Sequence, residues 1–167
     1  DLNYDGTLVH LNGGETSVMR ITHRVERRRV TERIVSDDAG RQIIRTDNEV
    51  RCIFPDQRTV LVEPRDDGDQ AQSPLRGNLP RPASIDSGLY VLSYATPERI
   101  AGRDTKGIAI RPRDAFRYGY RVWLDRATAM PLKTQLVDEH DRVLEQVLFT
   151  RIALPARIPA AAVKPTV

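Results

Sequence analysis

The sequence has few of the residues that build catalytic or metal centres. Its one cysteine, Cys52, excludes an intrachain disulfide and a zinc site made of several cysteines. Its three histidines are far apart, and His10 and His23 fall inside predicted strands as ordinary strand side chains. No nucleophile, base and orienting residue can be nominated together, and no hydrolase or phosphate-loop motif occurs. We therefore predict that the protein is not an enzyme and uses neither a metal nor a cofactor.

Aromatic residues and long apolar runs are also scarce. No run of about 20 apolar residues occurs, so no membrane-spanning helix is predicted. The formal charge of +3 favours polyanions such as lipopolysaccharide, anionic membrane or nucleic acid, without selecting among them. An aromatic content of 5% is too low for the stacking surface of a single-strand binder, so we do not predict a nucleic-acid partner.

Alternating apolar and polar residues recur along most of the chain, a pattern typical of β-strands. Short turn segments separate the runs, so consecutive strands are expected to form antiparallel hairpins. The predicted strands span 6–11, 17–25, 28–36, 41–46, 49–54, 58–63, 89–95, 98–103, 105–111, 118–125, 131–138 and 142–152. With so little helix to cover it, the sheet must fold on itself. We predict a mainly β protein, either a barrel or a strongly curved open sheet.

Three segments depart from this pattern. Residues 64–84 are polar and proline-rich, which predicts a long loop. Residues 84–95 fit a strand and a helix equally well, because Ile85, Leu89 and Leu92 have helical spacing. The tail 154–167 carries prolines at 155, 159 and 165 with alanines between them, which predicts a linker.

The first residues, DLNYDG, match the first half of a calcium-binding loop. Asp1, Asn3, Asp5 and Gly6 occupy the required positions. The twelfth position is Asn12, which lacks the bidentate carboxylate of such loops, and a β-rich run follows Gly6 instead of a helix. We interpret the segment as the entry to a first strand, and predict no metal site there.

The stretch RPRDAFRYGYR at 111–121 is the strongest candidate for a binding site. Guanidinium groups make bidentate contacts with carboxylates and phosphates and stack on aromatic rings, which suits an acidic peptide or a phosphorylated lipid. The alternative is a turn in which arginines pack on tyrosines and pin two strands together, and both interpretations stay open. The candidate binding residues are Arg113, Arg117, Tyr118, Tyr120, Arg121 and Trp123.

Three motifs in order carry a family resemblance. They are NYDGT at 3–7, AGR followed by PRD and RYGYRVWLD within 101–125, and PLKT followed by LEQVLFT within 131–150. Over nearly all of 2–152 the sequence resembles the N-terminal domain of the MucB/RseB proteins. This resemblance implies a half-open, strongly curved antiparallel sheet like that of the lipoprotein carriers LolA and LolB. It implies a large domain at 1–153, with 154–167 leading toward a C-terminal domain that this chain lacks.

The resemblance also implies a function. It suggests a periplasmic negative regulator of the envelope-stress sigma factor, with no catalytic residues. Its partner would be the periplasmic region of a membrane-anchored anti-sigma factor of the MucA/RseA type, which it would shield from proteolysis. Lipopolysaccharide or another acyl lipid would be the sensed ligand, and a homo-oligomer stays open. The alternative is a periplasmic lipid or lipoprotein carrier of the LolA/LolB type.

Overall fold

The structure is a computed structural model that describes residues 2–65, 75, 79–80 and 84–166. Twelve strands form one large antiparallel sheet that is not closed into a barrel, so the prediction of a mainly β, open antiparallel sheet is confirmed. Within the described ranges, no helix has the length and apolarity needed to cross a membrane.

The strands follow the chain with short connections. Their bounds are β1 Tyr4–Asn12, β2 Glu15–Glu26, β3 Arg29–Ser36, β4 Gln42–Arg45, β5 Glu49–Phe54, β6 Thr59–Pro64, β7 Tyr90–Ala95, β8 Arg99–Ile100, β9 Arg103–Pro112, β10 Gly119–Asp125, β11 Pro131–Val137 and β12 Val143–Ala153. Short helical turns span Pro55–Gln57, Ile85–Leu89 and Ala160–Val163. The order across the sheet is β6-β5-β4-β3-β2-β1-β12-β11-β10-β9-β7, with β8 paired to β9, so β6 and β7 are the edge strands.

Two predicted segments differ from the structure in an instructive way. The predicted strand 98–103 is reduced to the two residues of β8, because Ala101 and Gly102 turn the chain with φ of 50° and 76°. The segment 84–95, whose pattern fitted both a helix and a strand, contains a helical turn followed by a strand. A helical turn spans Ile85–Leu89, where Gly88 has a φ of 77°, and β7 begins at Tyr90. The predicted loop at 64–84 lies largely outside the described residues.

The chain divides into two compact units. The first comprises Asp1–Val9, Ser17–Ala71 and Thr150–Val167. Its buried apolar side chains come from β1 to β4 and from the tail, and they are Tyr4, Leu8, Ile21, Ile34, Ile44, Ile158 and Val163. Burial of this surface is the main source of the unit's stability.

The tail predicted as a linker belongs to the first unit and packs within it. Ile158 and Val163 are buried, and the carbonyl oxygen of Ile158 accepts a 2.9 Å hydrogen bond from Nε of Arg24. The side-chain amide of Gln42 donates to the carbonyl oxygen of Thr166 at 2.7 Å. The linker prediction came from proline and alanine composition, which took no account of the buried apolar side chains of Ile158 and Val163.

The start of the chain is a strand, as interpreted from its β-rich residues. Tyr4–Asn12 forms β1 without a break, so most of the apparent calcium loop is a strand. The side chain of Asn3 accepts from the backbone N–H of Val25 at 2.6 Å and donates to the carbonyl oxygen of Ala156 at 3.0 Å. Among the described residues, no group of three or more His, Cys, Asp or Glu side chains could hold a metal ion.

The second unit comprises His10–Thr16 and Gln72–Phe149. Its buried apolar residues lie mainly on β9 to β12, and they are Leu75, Tyr90, Ile100, Ala109, Ile110, Val122, Trp123, Leu132, Val137 and Val147, with Phe149 at its boundary. Gly107 on β9 lets β7 approach closely, since a Cβ there would lie 2.9 Å from the carbonyl oxygen of Ala95. β7 is the edge strand next to β9, whose last residues begin the predicted basic stretch.

Candidate functional site

The connection between β9 and β10 carries most of the predicted basic residues. It is anchored at its start, because the backbone N–H of Arg113 donates to the carbonyl oxygen of Leu89 at 2.9 Å. Asp114 then accepts from the backbone N–H of Phe116 at 3.0 Å and from Nε of Arg117 at 3.2 Å. These bonds hold a connection whose side chains point to solvent, and the Phe116 side chain is 94% exposed.

The six predicted binding residues divide into two groups. Arg113, Arg117 and Tyr118 lie exposed in the connection, where a ligand can reach them. Tyr120 lies on β10, half buried, with its ring edge-on to Tyr90 at 6.3 Å between centroids. Burial raises the pKa of the Tyr120 phenol above its ordinary value. The edge-on contact with Tyr90 makes Tyr120 a packing residue.

Arg121 and Trp123 belong to the packed face of β10. Arg121 lies 3.3 Å from a carboxylate oxygen of Asp141. Trp123 is 3% exposed, its indole N–H donates to the carbonyl oxygen of Thr96 at 3.0 Å, and Nζ of Lys133 lies 4.7 Å from its ring centroid. A buried indole with a satisfied N–H is a packing element, and we leave Trp123 out of the candidate surface.

Strand β7 adds an apolar component that sequence reasoning missed. Leu92 and Tyr94 are 55% and 78% exposed, and Nζ of Lys106 lies 5.0 Å from the centroid of the Tyr94 ring. Val91 on β7 pairs with Arg111 on β9, which brings a further guanidinium beside the strand. The run YVLSYA gave a strand signal, but helical spacing competed with it, and nothing local shows that both of its faces are partly exposed.

These elements neighbour one another along the sequence and the strand pairing of the second unit, and we group their exposed residues as the basic–aromatic surface, with Arg111 on the sheet face opposite Leu92, Tyr94 and Lys106. We define it by Leu92, Tyr94, Lys106, Arg111, Arg113, Phe116, Arg117 and Tyr118. Four of these side chains are cationic, and the others are apolar or aromatic. Such a surface can bind an anionic amphipathic ligand, because guanidinium and ammonium groups pair with carboxylate or phosphate while the rings cover apolar groups.

An ion pair between a partly exposed arginine and a buried carboxylate joins the strands that lead into this surface. Nε and a terminal nitrogen of Arg103 on β9 lie 2.9 and 3.1 Å from the two carboxylate oxygens of Asp125 on β10. Asp125 is 3% exposed, and it also accepts from the hydroxyl of Thr128 at 2.7 Å. The hydrogen bonds from Arg103 are the largest cause that holds the pKa of Asp125 below its ordinary value.

A second buried charge lies in the first unit, and sequence reasoning did not find it. Glu32 on β3 is 3% exposed, and its carboxylate lies 2.9 Å from Nδ1 of His23 and 3.5 Å from the Arg45 guanidinium. The His23 ring stacks on Tyr4 at 4.7 Å between centroids. His10, in the second unit, contacts Glu145 in the same way. Both histidines are thus strand residues engaged with carboxylates from neighbouring strands.

The chain is similar to proteins that are named as sigma factor regulatory proteins. The model of the MucB/RseB N-terminal domain family matches residues 1–167. The sigma factor AlgU regulatory protein MucB of Pseudomonas aeruginosa is 34% identical over 152 residues, covering 90% of this chain and 45% of that protein. The sigma-E factor regulatory protein RseB of Escherichia coli K12 is 25% identical over 146 residues, covering 87% and 45%. The chain therefore spans about half the length of these relatives.

Solved structures agree with the sequence comparisons. MucB in complex with MucA(peri) matches with a TM-score of 0.75 and 29% identity, over 99% of this chain and 54% of that one. The MucA/MucB complex of Pseudomonas aeruginosa matches with a TM-score of 0.76 and 32% identity, over 98% and 56%. An uncharacterized conserved protein from Thermus thermophilus matches with a TM-score of 0.64 at 13% identity, which shows a shared fold alone.

The Arg103–Asp125 pair makes a testable contribution to stability. We expect Arg103→Gln to lower the free energy of unfolding by about 3 kcal/mol at pH 7, because it leaves a buried carboxylate without its partner. The pKa of Asp125 is lowered in the folded state, so the pair stabilises above the unfolded pKa of about 4 and its contribution is lost as pH falls through the folded pKa. The difference in the free energy of unfolding between wild type and variant, measured with urea, should therefore become smaller at low pH.

The matched control is Arg99→Gln, because Arg99 pairs with Asp104 at 3.0 Å on an exposed surface. That change should cost less than about 1 kcal/mol at either pH. Equal losses from the two substitutions, or a gap for Arg103→Gln that does not change with pH, would contradict the assigned role of the buried pair.

Proposed function

The chain belongs to the MucB/RseB family, and on that premise we propose that it regulates an envelope-stress sigma factor by binding the periplasmic region of the anti-sigma factor. The regulation is negative, since the bound anti-sigma factor is shielded from proteolysis and keeps the sigma factor inactive. The protein acts in the periplasm and makes or breaks no covalent bond. The family's curated members bear the names of regulatory proteins, which supports this class of function.

One observation carries the proposal. The solved MucB that this chain matches over 99% of its length was crystallised with MucA(peri). The match covers 54% of that MucB chain, so we extend the interaction to this chain as a proposal of its own. A partner held through non-covalent contacts is also consistent with the basic–aromatic surface, which offers charge and apolar area to a peptide.

Lipid sensing is a second part of the proposal. The four cationic side chains of the basic–aromatic surface suit the phosphates of lipopolysaccharide, and the exposed rings suit its acyl chains. A lipid bound there would compete with an acidic segment of the anti-sigma factor for the same cations. Loss of the segment would then expose the anti-sigma factor to the protease and release the sigma factor.

A protection assay tests the regulatory function directly. The periplasmic region of an anti-sigma factor of the MucA type is incubated with its site-1 protease, with and without this 167-residue chain. We expect cleavage to slow in proportion to the fraction bound, because the bound region is withheld from the protease. Cleavage of an unrelated substrate should continue unchanged. Equal cleavage of the anti-sigma region at saturating concentrations of the chain would overturn the proposal.

The cations of the surface can be tested separately from the fold. We expect the double substitution Arg113→Ala and Arg117→Ala to weaken binding of lipid A vesicles at least about tenfold, because a hydrogen bond to a charged group contributes roughly 1.5–3 kcal/mol. Both side chains are exposed, so the midpoint of urea unfolding should stay within error. The control is Arg27→Ala with Arg28→Ala, two exposed arginines in the first unit. Similar weakening by the control pair would mean that net charge alone governs binding.

A further inference from the structure

The edge strand β7 presents a regular row of backbone groups to solvent. In an antiparallel ladder, residues alternate between those that bond their partner strand and those whose N–H and C=O groups point away from it. The bond from the N–H of Arg113 to the carbonyl oxygen of Leu89 fixes the phase of this alternation. The register then continues unbroken from Tyr90–Pro112 to Ala95–Gly107. Val91, Ser93 and Ala95 therefore bond β9, whereas Tyr90, Leu92 and Tyr94 direct their backbone groups outward.

No strand of the described part of the chain pairs with this outer edge. The side chains of Leu92 and Tyr94 are among the most exposed large apolar groups in the structure. Native proteins usually protect an edge with proline, charge or a bulge, because an open edge recruits further strands. β7 has none of these devices: its sequence is YVLSYA, and its register with β9 has no shift.

The opposite edge strand, β6, is partly protected against pairing with a further strand. There the N–H of Arg65 bonds the carbonyl oxygen of Asn48, so Val60, Val62 and Pro64 direct their backbone groups outward. Pro64 has no N–H to offer, and Glu63 places a charge beside it. A proline at an outward position interrupts any strand that pairs there. Val60 and Val62 keep their outward N–H groups, and their side chains are 56% and 52% exposed, so the proline closes only the end of β6. On β7 every outward position keeps its N–H, and the cations Lys106 and Arg111 lie beside the strand.

The charges around β7 indicate what kind of segment it would accept. The strand has no charged residue, but Arg111 lies opposite Val91 and Lys106 lies over the Tyr94 ring. An incoming extended segment would meet Leu92 and Tyr94 with its apolar side chains on one face. Lys106 lies on the same face as Leu92 and Tyr94, whereas Arg111 lies on the opposite face with Val91, so each face of the strand has a cation beside it. A carboxylate on either face of the incoming segment can pair with one of these cations, which favours an acidic segment.

We propose that β7 docks an extended, acidic segment of the partner protein as an additional antiparallel or parallel strand of the sheet. Main-chain hydrogen bonds to Leu92 and Tyr94 give affinity, and side-chain contacts with Lys106 and Arg111 give specificity, as in other cases of strand addition. The inference rests on the proposed function for the identity of the partner, which is the periplasmic region of the anti-sigma factor. It adds the mode of binding and the strand that carries it.

Substitution by proline at an outward position tests the backbone contribution. Leu92→Pro removes an outward N–H without deleting a bond to β9, and Leu92→Ala removes the same side chain but keeps the N–H. In titrations of the anti-sigma periplasmic region, we expect Leu92→Pro to bind at least about tenfold more weakly than Leu92→Ala, through loss of the hydrogen bond and steric obstruction by the ring. Circular dichroism and urea unfolding of both variants verify that the fold is kept.

A second matched pair, Tyr94→Pro and Tyr94→Ala, provides the same comparison if Leu92→Pro does not fold. Equal affinities within the folded pair would overturn strand addition while leaving the proposed function intact. Failure of the unaltered chain to bind the anti-sigma region would overturn both. The last measurement uses vesicles that contain lipid A, because a lipid can bind without backbone hydrogen bonds to the edge of β7. Proline variants that lose vesicle binding but keep peptide binding would identify a lipid surface instead, and this too would overturn the proposal.

Discussion

A sheet that does not close on itself leaves unpaired backbone donors and acceptors along its two outermost strands, and this constraint governs the surface of the protein. A barrel would remove both edges, whereas the order β6 to β7 keeps them. At β6 the outward position nearest the strand end is Pro64, which has no N–H. At β7 the outward positions are Tyr90, Leu92 and Tyr94, and the cations of the basic–aromatic surface lie beside them. Of the two edges, β7 is the one at which we propose that a partner strand adds.

The motifs that identify the family are mainly structural. Asn3 of NYDGT bridges the backbone of β2 to the tail. Arg103 of AGR pairs with Asp125 at the end of RYGYRVWLD, and Lys133 of PLKT lies over the buried Trp123 ring. These residues fix register and packing, so sequences that share them share the fold. The exposed residues that would contact a partner are not fixed by the same demands, and the motifs therefore identify the family more sharply than they locate its binding surface.

Local pattern was sufficient to predict most of the strands, because period-two alternation and turn residues depend on neighbours in sequence. It was insufficient wherever the outcome depended on distant residues. The pairing of His23 with buried Glu32 needs the hairpin register, and the packing of Ile158 needs the face of β2 that carries Arg24. Likewise, Trp123 resembled a binding aromatic until its N–H was found to donate to Thr96. The hydrogen bond from Arg113 to Leu89 sets the alternation of backbone directions along β7. Only this bond shows which residues of YVLSYA direct their backbone groups outward.

Amide hydrogen exchange, resolved by residue and measured with and without the anti-sigma periplasmic region, tests the central claim most directly. In the free chain, the amides of Leu92 and Tyr94 should exchange faster than those of Val91 and Ser93, because only the latter bond β9. With the partner bound, Leu92 and Tyr94 should gain protection while the amides of Val60 and Val62 on β6 stay fast. Protection that appears on β6 or elsewhere in the sheet, with Leu92 and Tyr94 unchanged, would contradict the account.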